Sequence, residues 1–130
     1  MKFLLDTDTV SFALRGEGQV AERIRAHRPS ELGISSITLA ELRFGAERRG
    51  SRRLHRLIDG FVGDLEVAPF DDEAAGRFGK VAAALMAKGS PIGSLDAMIA
   101  AHALQLGTTL VTHNQKHFRK VRGLKIVDWV

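Results

Sequence analysis

Short apolar runs that stop on polar residues, separated by stretches with helical spacing, constrain this chain more than any other feature of its sequence. The runs are Lys2 to Asp6, Leu32 to Ser35, Glu66 to Ala68 before Pro69, Thr109 to Thr112, and Lys125 to Val127. Each is too short for a helix and has the length of a buried strand. Between them the apolar residues recur at helical intervals. A helix is expected over Val10 to Leu14, with Thr7, Asp8 or Thr9 as its cap, and a second around Val20 and Ile24 that ends before Pro29. Ser36 or Thr38 is expected to cap a helix carrying Leu39, Glu41 and Leu42. Leu54, Leu57, Ile58, Phe61, Val62 and Leu65 mark another helix, and Phe78, Val81, Ala82 and Leu85 a further one. Gly89-Ser90-Pro91-Ile92-Gly93 reads as a loop, after which Ser94 caps a helix with Leu95, Met98, Ile99 and Leu106 as its stripe. Strands alternating with helices imply an α/β domain with a mainly parallel central sheet flanked by helices.

In such sheets ligands collect at the carboxyl ends of the strands. Three acids are expected there. Asp6 ends the first strand, Glu41 lies in the first turns of the helix after the second, and Asp96 follows Ser94 by two residues. Three carboxylates in one crevice repel one another until protons or a cation relieve them. Without cysteine in the chain, an all-oxygen donor set suits a hard ion such as Mg²⁺ or Mn²⁺, which activates water and neutralises charge on a phosphodiester. Structural readings stand beside this one. Thr38-x-x-Glu41 matches a capping box, and an acid early in a helix is favoured by the helix dipole. A charge directly after Phe3-Leu4-Leu5 is harder to explain structurally, because its burial needs compensation.

Longer stretches of sequence carry a resemblance. Leu4 to Val10, Ile34 to Leu42, Pro91 to Ala103 and Leu110 to Phe118 resemble, in order, the signatures of the PIN domain, down to the closing Asp128-Trp129-Val130. The chain is most similar to the VapC toxins, the ribonuclease halves of type II toxin–antitoxin modules. The resemblance implies a PIN-like three-layer α/β/α domain over residues 1–130, RNA cleavage that depends on Mg²⁺ or Mn²⁺, homodimerisation, and inhibition by a VapB-type antitoxin. It implies that Asp6, Glu41 and Asp96 are the catalytic metal ligands, that Asp8 supports them, and that Ser36 and Thr112 line the pocket. Asn114 stands where many PIN domains have a fourth aspartate. Its amide oxygen is a weaker ligand and leaves a second metal ion in question. Transfer RNA, and initiator tRNA in particular, is the substrate the resemblance favours.

Composition sets the remaining bounds. With 130 residues there is room for one core. No apolar run approaches the roughly 20 residues of a membrane span, and the first run meets a carboxylate too soon for a signal peptide. A cysteine-free chain of this kind fits a cytoplasmic location. The formal charge of +4 suits a polyanionic partner. Arg48, Arg49, Arg52, Arg53 and Arg56 crowd one stretch, and Lys116, Arg119, Lys120, Arg122 and Lys125 another; each reads equally as a solvated helix face or as an RNA contact. His102 is expected to be packed against its helix's neighbours, with His113 and His117 at the rim of the site. Asp6-x-Asp8-x-Val10 also fits the aspartyl nucleophile motif of haloacid-dehalogenase-like phosphatases, but that family's later lysine and acidic motifs are missing. A non-catalytic RNA- or partner-binding module on the same fold is the other alternative.

Overall fold

A computed structural model describes residues 1–130. Five parallel strands, β1 (Phe3–Leu5), β2 (Leu32–Ser35), β3 (Glu66–Ala68), β4 (Thr109–Val111) and β5 (Ile126–Val127), form one sheet in the order β3-β2-β1-β4-β5. The expected parallel sheet is therefore present. β1 lies at its centre, with Phe3 opposite Leu32 on one side and Thr109 on the other. The chain leaves β1 in two directions, first towards β2 and later, through β4, towards the opposite edge. Such a reversal opens a crevice at the carboxyl ends of the two central strands.

Strand alternation assigns the two faces. Leu4 and Leu110 enter one core with Val81, Leu85, Ile92, Ile99 and Phe118. Leu5 and Val111 enter the other with Val10, Val20, Leu42, Ile58 and Trp129. Helices α1 (Thr7–Arg15), α2 (Val20–Arg25), α3 (Ser36–Arg49) and α4 (Arg52–Val62) supply the second core, and α5 (Asp72–Ala87), α6 (Ser94–Leu106) and α7 (Gln115–Phe118) the first. The three-layer α/β/α arrangement follows directly from a sheet that is apolar on both faces. A fully buried Leu or Val side chain stabilises such a core by about 1.5–3 kcal/mol.

Several element boundaries differ from those expected. Asp6, rather than Thr7, Asp8 or Thr9, caps α1, so the helix starts earlier than Val10. Ser35, rather than Ser36 or Thr38, caps α3 by accepting from the Ile37 amide at 3.0 Å. Thr38 is then fully buried inside the helix, and the anticipated capping box does not form. Gly93, at φ +94, precedes α6 without a side-chain cap, which makes Ser94 the first helical residue. A left-handed φ there explains why glycine occupies the turn. Leu95 faces outward, 47% exposed, while Ala97, Ala100, Ala101 and Ala103 are buried. Leu65 lies beyond the end of α4, and Pro29–Glu31 adds a short 3₁₀ turn before β2. No helix is long and apolar enough to cross a membrane.

Candidate active site

β1 ends at Leu5 because the next carboxylate turns back on the chain. The Asp6 amide donates to the Val111 carbonyl at 3.0 Å, tying it to the end of β4, while its Oδ1 accepts from the Thr9 amide at 2.9 Å. Thr9 Oγ1 donates to the same Val111 carbonyl at 3.1 Å. These bonds hold Asp6 at the N-terminus of α1, where an anion is favoured, although only 5% of its surface remains exposed. Burial raises its pKa above the ordinary carboxylate value, and the nearby Asp8 charge adds to this. Hydrogen bonds from Thr112 and Thr9 oppose the shift.

Glu41 sits in the second turn of α3 and points to α1. The Thr7 hydroxyl donates to Glu41 Oε1 at 2.6 Å, with Thr38 Oγ1 3.2 Å away on its other side. Asp96 lies in the first turn of α6, where His117 Nδ1 approaches its Oδ2 to 3.6 Å, just beyond hydrogen-bonding reach. That nitrogen has no other partner. Burial again raises both acids' pKa values. For Glu41 the charges of Asp96 and Asp8 raise it further while the Thr7 bond lowers it. For Asp96 the neighbouring His117 lowers it and the charge of Asp8 raises it.

The three acids therefore lie within one electrostatic field, with Asp8 felt by all of them. They are not drawn into a closed cluster: no three acidic or histidine side chains converge tightly enough to grip an ion. Asp6 is committed to Thr9, and Glu41 to Thr7. The donor set nonetheless fits a hard divalent cation in its chemistry, because it offers carboxylate oxygens that are half-buried or buried and mutually repelled.

The remaining candidates divide. Asp8 is exposed beside the acids. Thr112 is fully buried and accepts from the Asn114 amide at 3.0 Å, so it links Asp6 to the start of α7. Asn114 is half-buried at the N-terminus of α7, and its side chain makes no capping bond there. Ser36 differs from expectation: its hydroxyl accepts from the Phe70 amide at 3.0 Å and ties α3 to the β3–α5 connection. His102 is packed as expected, fully buried, edge-on to Phe70 and 2.8 Å from Ser35 Oγ. His113 is occupied by Asp128 at 2.9 Å and packs against Phe12.

Arg48, Arg49, Arg52, Arg53, Lys116 and Arg119 are all exposed and form no ion pairs. Arg48 and Arg49 complement the C-terminal dipole of α3. Arg49 also lines a groove that contains Thr7, Glu41 and Arg15.

Residues 3–124 match the PIN domain model. The chain belongs to the PIN-domain family. A tRNA(fMet)-specific endonuclease VapC from Salmonella typhimurium is 40% identical over 131 residues, covering 99% of this chain and 98% of the relative. This PIN domain also superposes on DNA-bound VapBC from Salmonella typhimurium with a TM-score of 0.90 at 40% identity, covering 100% of this chain and 99% of that one. VapBC2 from Rickettsia felis, bound to a promoter DNA fragment, gives a TM-score of 0.90 at 29% identity, with each chain fully covered. The PIN-domain assignment thus rests on the whole length of the chain.

Two residues of this PIN domain make contacts that the sequence does not disclose. Thr7 is 34 positions from Glu41 and shows no periodicity that would pair them. Sequence puts His117 at the rim of the site, yet nothing in its spacing points to Asp96. Only the topology, which brings α1, α3, α6 and α7 to one end of the sheet, creates both contacts.

Proposed function

We propose that this chain is an endoribonuclease toxin that requires Mg²⁺ or Mn²⁺, cleaves tRNA with initiator tRNA as its preferred target, and is held inactive by a VapB-type antitoxin. The observation that carries this reading is that Asp6, Glu41 and Asp96 follow β1, follow β2 and open α6 at the same end of the sheet, each with a pKa raised by burial and by the charge of Asp8. Similarity to a tRNA(fMet)-specific endonuclease along the full chain supports the substrate, and similarity to VapBC assemblies supports the partner.

Asp6, Glu41 and Asp96 would hold the ion, with Asn114 offering a neutral oxygen beside them. Such an ion supplies charge neutralisation for the phosphodiester and activation of the attacking water. The protein's own groups do the positioning. Thr7 fixes Oε1 of Glu41 and leaves the other oxygen available. The Thr9 amide holds Asp6 in place, and His117 stands beside Asp96. Antitoxin inhibition fits the same chemistry, since an arginine inserted among these acids would pair with two carboxylate oxygens. The active unit is a homodimer in this reading.

The test is cleavage of initiator and elongator tRNAs side by side, with Mg²⁺ and with EDTA. Preferential cutting of initiator tRNA, arrest by EDTA, and products with 5′-phosphate and 3′-hydroxyl ends are expected. Full cleavage in EDTA would sink the metal requirement, and equal cutting of both tRNAs would sink the substrate assignment. RNA cleavage of any kind rules out the non-catalytic alternative.

A further inference from the structure

Beside the C-terminal half of α6, helix α5 and the segment after α7 face each other across a cleft of about 380 Å³. Arg77, Lys80, Lys88, Lys120 and Arg122 line it over a floor that includes Val81 and Leu104, and no acidic side chain is among its walls. The sequence accounts for the imbalance: neither Arg77 to Lys88 nor Arg119 to Lys125 contains Asp or Glu. None of the five cations has an ion-pair partner. Exposed helices ordinarily interleave opposite charges at i,i+4. On α5 the acids Asp72 and Glu73 are confined to the first turn. The helix dipole accounts for Lys88, near the C-terminus of α5, but not for Arg77 or Lys80.

Shape and position narrow the ligand. Arg77, Lys80 and Lys88 fall on one helical face, and Arg77 to Lys88 spans ~16 Å at the rise of an α-helix. A single phosphate group would meet only part of that line, whereas a nucleic acid strand would meet all of it. The floor offers no aromatic ring for base stacking, so contact falls to charge on the backbone and is indifferent to base. The cleft is also joined to the acidic site. The Lys120 amide donates to the His117 carbonyl at 3.2 Å, His117 lies beside Asp96, and Lys88 Nζ donates to the Lys120 carbonyl at 3.2 Å.

We propose that this cleft is an exosite that holds the phosphate backbone of an RNA strand leaving the acidic site, an inference that rests on the ribonuclease reading above. The test measures binding of a fluorescein-labelled oligouridylate at several salt concentrations, in EDTA and in an Asp6→Asn background so that no cleavage intervenes. Combining Lys80→Gln, Lys88→Gln, Lys120→Gln and Arg122→Gln should weaken binding by at least about tenfold. It should also reduce the slope of log K against log salt by roughly 2 to 3, since each lost phosphate contact on a single strand removes about 0.7. Lys80→Gln with Arg122→Gln leaves the Lys88–Lys120 contact intact and serves if the fourfold variant unfolds. RNA cleavage by the wild-type protein in Mg²⁺ is followed in parallel. Unchanged affinity and slope with cleavage intact overturn the exosite and leave the nuclease reading standing. A wild-type protein that neither binds nor cuts RNA overturns both. Binding of poly-glutamate that is lost in the variant while RNA binding persists would assign the cleft to an acidic protein partner and overturn the RNA assignment.

Discussion

Asp6 serves two purposes that pull in opposite directions. Its Oδ1 caps α1, which stabilises the helix, yet its burial makes the charged form costly. A folded-state pKa raised above 3.8 means that Asp6 contributes stability while protonated, and that this contribution is lost as pH rises through the raised value. Once ionised, the group carries the cost of its burial, which its hydrogen bonds offset only in part. Asp6→Asn keeps a capping oxygen and removes the charge, so it should abolish RNA cleavage and raise Tm in EDTA at pH 7, with the gain shrinking on acidification. Thermal melts across pH decide this, and an Asn variant less stable than wild type at pH 7 would contradict it. Thr7 tests the neighbouring acid. Thr7→Val removes the bond to Glu41, and a hydrogen bond to a charged group is worth about 1.5–3 kcal/mol. Cleavage should fall on the order of tenfold or more, while Thr7→Ser, which keeps the hydroxyl, should retain most of it. Equal rates in both variants would show that Glu41 does not depend on Thr7.

At the scale of elements, α6 shows what periodicity conveys and what it conceals. The loop at residues 89–93 and the apolar residues that follow make the helix legible, but side-chain size alone draws its stripe through the exposed Leu95 as well as the buried Ile99. Leu95 is exposed, whereas Ala97, Ala100, Ala101 and Ala103 are at most 4% exposed. Small residues bring the helix close to α5 and the sheet, and pattern reading that weights large side chains overlooks them. Ala100→Leu should therefore overpack this contact and cost about 1–3 kcal/mol, seen as a lower denaturant midpoint with an unchanged slope. An unaffected midpoint would mean that α6 has slack against its neighbours. His102 on the same helix adds a pH signature. Burial lowers its pKa, so its contribution is present above the unfolded value and lost as pH falls through the folded one. The strands were legible for the opposite reason, since each is a short apolar run whose two faces are both buried. Caps were less so: Asp6 and Ser35 won over Thr7, Ser36 and Thr38 because the strands end one residue before them or upon them. Of the candidate site, the three acids were readable from their places after strands and at helix starts. Thr7 and His117 were not, because long-range contacts leave no local trace.

For the whole molecule, the acidic end of the sheet stores unfavourable energy that a ligand can release. Asp6, Glu41 and Asp96 each have a pKa raised first by burial, and Asp8 adds like charge to all three. A cation that binds only the folded state stabilises it by RT ln(1 + [L]/Kd), about 1.4 kcal/mol at a tenfold excess over Kd. For a chain of this length that corresponds to a rise in Tm on the order of 5 °C. Mg²⁺ or Mn²⁺ should therefore raise the melting temperature in a saturable way that EDTA reverses, whereas NaCl at matched ionic strength should not reproduce it. Because the carboxylates must be ionised to bind metal, and their raised pKa values let protons compete at higher pH than ordinary acids allow, the shift should diminish as pH is lowered. Asp6→Asn and Asp96→Asn should blunt it by removing a charged ligand. Asn114→Asp should instead move its midpoint to lower Mg²⁺, since a carboxylate replaces a neutral amide at the start of α7, which Thr112 ties to Asp6. This experiment needs no RNA, so it separates metal binding from substrate choice. A Tm that ignores Mg²⁺ and Mn²⁺ at millimolar concentration, or a shift that survives loss of both aspartates, would place any metal outside this site.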